Sequence, residues 1–382
     1  MNSAPNPQLA TSLRQAAAAA EQGQFPVAEH HYRQARMLAP DNALIAVHLG
    51  HVLRQLGRPA EAKVQFLAAI EMAASEEGHY GLGLVYQDLM DLPRAETSYG
   101  AALARNRGHL PAILALARLY NFTNRPEKAL GLLANTATTE VVLAAAIEHA
   151  RGTAFLATGQ NEAALECFER AIALRPDHIE AAHSRAIALQ SVNREEDALT
   201  GFRLVVKKNP ADLAAHHNLN QLLYRLKRDD EFLRSYDEAA AQFPGAPHFA
   251  LAKAAFLVRN ERPAEALELY EQTLKLAPGE PIVLQGRAAA QLKLHQVDAA
   301  IASYEEGLKR SPQDINMLTG VAAAYLISRA PKKAEAAALK ALQMAPEDQT
   351  GLSLLGTAWR LMEDGRDDEL NRYDEFVQTF DL

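Results

Sequence analysis

Thirteen histidines and one cysteine are the side chains of this chain best suited to metal binding or proton transfer. Spacing decides whether they are arranged for it. His48 and His51 stand three residues apart and would share one face of a helix, which supplies at most two metal ligands. No His-Glu-x-x-His is present, and no third ligand lies nearby in the sequence. His178-Ile179-Glu180 has the form of a His-x-acid iron pair, yet it opens a helical stretch rather than a jelly-roll strand. Cys167 adjoins Phe168 in an amphipathic segment, where a small packing residue is the expected role. The chain has no glycine-rich phosphate loop and no Gly-x-Ser-x-Gly elbow. These observations predict a protein with no catalytic residues, no metal site and no cofactor of its own.

Composition narrows the classes further. Hydrophobic residues make up 48% and charged residues 23%, a balance that folds in water. The 39 basic residues are outnumbered by 47 acidic ones, for a net charge of −8, which disfavours binding driven by nucleic-acid phosphates. A single cysteine allows no internal disulfide and points to a reducing compartment. Residues Met1 to Ala10 lack the basic and apolar segments of a signal peptide, and no run reaches the ~18 apolar residues of a membrane span. A cytoplasmic location is the expectation.

The elements that position these residues are set by a repeat. A small residue followed four places later by an aromatic or aliphatic one recurs as Ala28/Tyr32, Ala62/Phe66, Ala95/Tyr99, Ala129/Leu133, Ala164/Phe168 and Ala198/Phe202, then as Phe232/Tyr236, Ala266/Tyr270, Ala300/Tyr304 and Ala334/Ala338. Successive first members lie 34 residues apart, apart from one step of 33 and one of 35. Prolines keep the same phase. Pro40, Pro176, Pro210, Pro244, Pro278, Pro312 and Pro346 fall twelve residues after the first member, and Pro26, Pro59, Pro93, Pro126, Pro263 and Pro331 fall two or three before it. Proline fits the first turn of a helix and disrupts its interior, so the two sets mark helix ends and helix starts. Between them apolar residues return at spacings of three and four, as in Leu49, Val52, Leu53 and Leu56. Each period predicts two helices of about a dozen residues.

With Leu82-Gly83 and Tyr86 in a first helix, and Ala28, Tyr32, Ala35 and Pro40 or Ala164, Phe168, Ala171 and Pro176 in a second, the chain resembles the tetratricopeptide-repeat family. The resemblance implies an all-α fold, a right-handed α-solenoid superhelix of about eleven helix-turn-helix units whose first helices line a concave face. Residues 1–8 form a short tail and 9–382 the array, with units one to four over about 9–140 and units five to eleven over about 141–382. Two departures stand out. Asn220 occupies a position where the family has glycine or alanine, and the stretch from Asn135 to Glu140 carries an extra residue and no closing proline, predicting a soft junction there.

Such solenoids bind extended partners on the inner surface, and the phase assigns inner positions. His149, His183 and His217 fall at one position of successive units, and Arg225, Arg259 and Lys293 at another, with Asn218, Gln221, Tyr224 and His248 around them. Seven basic residues (Arg14, Arg54, Arg118, Arg225, Arg259, Lys293 and Arg360) face four acidic ones (Glu21, Glu77, Asp88 and Glu180) across the inner positions, an excess of +3 in a chain of −8. An acidic protein or peptide segment is the complementary partner. The basic row has a second reading as helix-end chemistry, because the macrodipole favours a cation there by about 0.3 to 1 kcal/mol. The carboxylate clamp of chaperone-tail-binding repeats is absent: its position holds Thr153, Ile187, Gln221, Ala255 and Ala289.

The final stretch, with Trp359-Arg360 and Tyr373-Asp374-Glu375-Phe376-Val377, resembles the lead-in from bacterial repeat arrays to a 2-oxoglutarate and iron oxygenase domain. On that resemblance the chain is the substrate-recognition half of a larger modifying enzyme, and Phe376, Val377 and Phe380 would contact a further domain or subunit. The leading expectation is a non-catalytic interaction scaffold.

Overall fold

The computed structural model describes residues 6–228, 231–243 and 247–362. The chain divides into two compact units, Met1–Gly201 and Phe202–Leu382. The first holds α1 (Pro7–Glu21), α2 (Phe25–Leu38), α3 (Ala43–Gln55), α4 (Pro59–Ala73), α5 (Glu76–Asp88), α6 (Leu92–Arg105), α7 (Leu110–Phe122), α8 (Pro126–Leu133), α9 (Val141–Ala157), α10 (Asn161–Leu174) and α11 (Ile179–Ser191). The division falls within α12 (Glu195–Lys208). The second unit continues with α13 (Leu213–Arg225), α14 (Arg234–Gln242), α15 (His248–Arg259), α16 (Pro263–Leu276), α17 (Pro281–Lys293), α18 (Val297–Arg310), α19 (Ile315–Ile327), α20 (Pro331–Leu342) and α21 (Gln349–Met362). The described residues contain no strand, and none of their helices is long and apolar enough to cross a membrane. Each unit is an all-α helical repeat solenoid. Tyr373 to Leu382, including Phe376, Val377 and Phe380, lie outside the described residues, as does Pro244. Trp359 is a core residue of α21, and its indole N–H donates to Glu335 at 2.8 Å.

The two helices of a repeat begin differently. Most odd-numbered helices start at a side-chain cap: Asn6, Asn42, Ser75, His109, His178, Asp212, Asp314 and Asp348 each accept a backbone N–H of the first turn. Even-numbered helices start instead with proline in the first turn in α2, α4, α6, α8, α16 and α20. Between the two helices the chain reverses through one left-handed residue per repeat. Gly23, Gly57, Met90, Asn124, Gly159, Asn193, Lys227, Glu261, His295 and Arg329 all have positive φ, in the same 34-residue phase. Odd-numbered helices also touch the next odd-numbered helix, as α7 touches α9 and α13 touches α15, and so form one side of each unit.

The core is a column of rings between small residues. Tyr32, Phe66, Tyr99, Phe168, Phe202, Tyr236, Tyr270 and Tyr304 are all buried, and every alanine of the first-member row is fully buried. Phe66 lies between α3 and α5. A Cβ at Gly50 would sit 2.8 Å from its ring, and one at Gly81 would overlap it. The ring therefore packs against both its own repeat and the next, while Tyr304 reaches Gly320 of the next repeat and Phe168 reaches Gly152 of its own.

The stretch 134–140 is held by side chains. α8 has only 8 residues, and Arg151 of α9 donates through Nη2 to the carbonyls of Leu133 at 2.8 Å and Thr136 at 3.3 Å. Glu148 accepts from Arg151 and from Arg170, the latter at 2.7 Å. These bonds satisfy carbonyls that the missing helical turn leaves open.

Two predictions follow from this packing. Gly57→Ala meets nothing within 4 Å and strains only a backbone at φ +70°, so it should cost about 1 kcal/mol. Gly81→Ala must displace a locked ring and should cost about 1 to 3 kcal/mol, with urea midpoints ranking the two and equal midpoints refuting the ring-lock account. At the junction, we expect amides of 134–140 to exchange hydrogen faster than those after Pro210 or Pro278, and Arg151→Met to accelerate them further. Unchanged exchange in Arg151→Met would mean that the clamp does not hold the segment.

Candidate functional site

In the first unit a cleft of about 770 Å³ crosses α7, α9 and α11. Arg118, Phe122, Val142, His149, Thr153, Arg175 and His178 are among the residues lining it. Phe122 is 69% exposed and Val142 55%, and with Leu114, Leu143 and Ala146 they form the apolar part of a wall that Arg118, His149 and Arg175 complete. Arg118 is exposed and forms no ion pair among the described residues.

Several histidines of this unit pack against rings or cap helices. His149 Nε2 lies 3.1 Å from Ser184 Oγ, and its ring meets His178 edge-on at 5.1 Å. Burial, with His178 and Arg118 nearby, pushes its pKa down to about 4. His183 is half-buried on α11, beside Ser184. His178 itself caps α11 by accepting the N–H of Ala181, so the His-x-acid pair is helix-start chemistry. His109 does the same for α7 through Nδ1, while its Nε2–H donates to Glu77 at 2.9 Å. His48 stacks on Tyr32 at 5.6 Å, and His51 packs edge-on to Phe66 at 5.0 Å with its pKa lowered by burial to about 4. Cys167 is buried with Arg170 Nη2 at 3.0 Å, and burial raises its thiol to about 11. Among the described residues no three His, Cys, Asp or Glu side chains converge on a common point.

In the second unit Arg225, Arg259 and Lys293 stand in the last turns of α13, α15 and α17, and all three are exposed. They are not equivalent, however. Lys293 Nζ is 3.0 Å from Glu261, whereas Arg259 has no ion pair among the described residues. Arg54 of the inner set is likewise neutralised by Asp88 at 2.6 Å in the first unit. Gln221 and His248 are exposed, Asn218 is half-buried, and the His248 ring lies 4.3 Å from Phe249.

His217 and Tyr224 are drawn into a ring cluster that the repeat phase did not reveal. His217 meets Phe256 edge-on at 5.5 Å, Tyr224 lies 5.5 Å from Phe232, and Phe232 lies 5.5 Å from Phe256. Arg262 stands over Phe232 at 5.3 Å. The signal for the cluster was present in the sequence: Phe232 stands in a row that is otherwise alanine.

An unperturbed histidine gains charge below about pH 6.5. Burial moves His149 well below that, and His217 is also lowered, by burial first and by Arg259 second. The sign follows. Between the ordinary value of 6.5 and about 4, the unfolded chain binds a proton at position 149 that the folded chain refuses, so stability falls as pH drops through that window. His149→Gln should lose less stability between pH 7 and pH 4.5 than the unsubstituted chain, as read from urea midpoints. Parallel pH profiles would remove His149 as a source of acid lability.

Comparison with known proteins places this architecture. No curated protein sequence matches the chain. Tetratricopeptide-repeat models match residues 13–77, 149–212 and 257–324, together a little over half of its length. Among solved structures, yeast Tom70 aligns with 97% of this chain and 92% of its own, at 15% identity and a TM-score of 0.53. The human IFIT1 dimer with PPP-AAAA aligns with 88% of this chain and 82% of its own, at 14% identity and a TM-score of 0.51. At these identities the likeness concerns the fold. Repeat phase, helix pairing, ring column and family models agree, and the chain belongs to the tetratricopeptide-repeat family.

Proposed function

We propose that this chain is a non-catalytic interaction scaffold that binds an extended protein segment bearing acidic groups along the faces of its odd-numbered helices. The observation that carries the reading is the presence of Arg225, Arg259 and Lys293 in the last turns of successive odd-numbered helices of the second unit, with Arg259 free of any ion pair among the described residues. In the first unit the cleft across α7, α9 and α11 offers a further stretch of the same kind, with Arg118 beside Phe122 and Val142. His149 and His217, both lowered by burial, contribute polar, uncharged contacts near neutral pH; His183 is a further polar group of the set, and Asn218, Gln221, Tyr224 and His248 border the basic row.

Helices packed side by side are spaced about 10 Å apart. An extended chain rises ~3.3 Å per residue, so a carboxylate at every third residue would match the row. Arg259 binds such a group directly, while Lys293 must exchange Glu261 for the ligand. Such complementarity acts mainly on association rate and specificity and weakens with salt.

The test is the triple variant Arg225→Ser, Arg259→Ser and Lys293→Ser. These exposed changes should leave folding within about 0.5 kcal/mol of the parent. Binding of partners recovered by pull-down and mass spectrometry, or of Asp-rich peptides, should weaken and lose most of its salt dependence. Unchanged affinity and salt response would assign the three residues to helix-end stabilisation alone.

A further inference from the structure

The irregular stretch before α9 changes one wall of the first unit. α9 has 17 residues, whereas α7 and α11 have 13 each. Ile179 opens α11 one 34-residue step after Ala145, but α9 already opens at Val141. The extra turn carries Val142 and Leu143 into the cleft across α7, α9 and α11. Phe122 is the matching departure on α7: α3, α5 and α11 close on Gln55, Asp88 and Ser191, but α7 closes on a phenylalanine that is 69% exposed. The cleft of about 770 Å³ lies within the ~300–1,000 Å³ of ligand sites, so these exposed apolar groups border a space that a guest can enter.

The walls of the cleft are tied together. Asn121 Nδ2 donates to Ala150 O at 2.8 Å and joins α7 to α9, while His149 Nε2, 3.1 Å from Ser184 Oγ, joins α9 to α11. Walls already fixed lose little freedom on binding. The charges of the cleft are occupied with one exception: Arg175 pairs with Asp177 at 3.5 Å, Glu180 lies 3.0 Å from His178, and Arg118 has no ion pair among the described residues. We propose that this cleft reads a paired feature of the bound segment, an Asp or Glu two residues from a large apolar residue, with the carboxylate on Arg118 and the apolar side chain against Phe122, Val142 and Leu143. The inference rests on the acidic-segment reading above and specifies what its first-unit stretch recognises. Arg118 and Phe122 stand four residues apart on α7, which puts them on one face with Cβ atoms about 5 to 6 Å apart. Side chains two residues apart in an extended segment also share a face, about 6.6 Å apart, so one such pair spans the cation and the ring.

Three fluorescein-labelled 12-residue peptides on a Gly-Ser background test this by anisotropy against the full chain. They carry a central Asp-Ser-Trp, Asn-Ser-Trp or Asp-Ser-Ser. The first should bind about tenfold tighter than either of the others, the scale of one well-placed contact. Arg118→Ser should erase the Asp advantage and keep the Trp advantage, and Phe122→Ser should do the reverse. Both positions are exposed, so folding should survive, as thermal melting by circular dichroism would verify. The triple variant Arg225→Ser, Arg259→Ser and Lys293→Ser should keep both advantages, because the cleft lies wholly in the first unit. Advantages that persist in both cleft variants overturn the cleft, and if the triple variant then loses them the acidic-segment reading stands on the basic row alone. Advantages lost in the cleft variants support the cleft, even where unchanged partner binding by the triple variant overturns the basic row. Failure of all three peptides to bind overturns the cleft, as does tighter binding of a labelled oligouridylate that Arg118→Ser abolishes.

Discussion

In five repeats a ring, that of Phe66, Tyr99, Phe168, Tyr270 or Tyr304, is seated where a neighbouring helix has no side chain beyond a glycine hydrogen. The Phe66 ring occupies the volume that a Cβ on Gly50 or Gly81 would need, and Tyr304 stands in the same relation to Gly320. Close backbone approach, burial of the ring and stacking of one helix pair on the next are therefore a single constraint. One helix pair alone cannot satisfy it, because a ring such as Phe66 also packs against the adjacent pair at Gly81. Stability then accrues by nearest-neighbour addition, as in other linear arrays. The alternation of side-chain caps and first-turn prolines serves the same end by fixing where each helix starts, and hence which residue meets the ring.

Much of this was legible in the sequence because the constraint recurs in phase. The 34-residue step, the proline positions and the small-to-aromatic pairs predicted helix pairs, and the described residues contain them. Asn220 was recognised as a departure from the pattern. Its consequence was not readable, since the bonds to Ser235 and Leu233 join residues fifteen and thirteen positions away, beyond the reach of any local rule.

Charge and protonation were less legible than shape. The repeat phase placed Arg54, Asp88 and Lys293 on the inner side, but a count of charges ignores pairing, and Arg54 with Asp88 and Lys293 with Glu261 cancel within the surface. For His149 the deciding factor is the burial supplied by neighbouring helices, which overrides the ordinary behaviour of the side chain. A helix-period reading assigns a face to a residue; it does not state what stands opposite.

The left-handed turn residues carry one more consequence. In the first unit three of the six are glycine, at 23, 57 and 159, and two are asparagine, residues for which positive φ carries little or reduced strain. In the second unit the four are Lys227, Glu261, His295 and Arg329. Backbone strain is thus concentrated late in the chain. A ribosome synthesises this molecule from the relaxed end, so the repeats whose turns close most readily emerge first, and the strained turns follow once those repeats have left the exit tunnel.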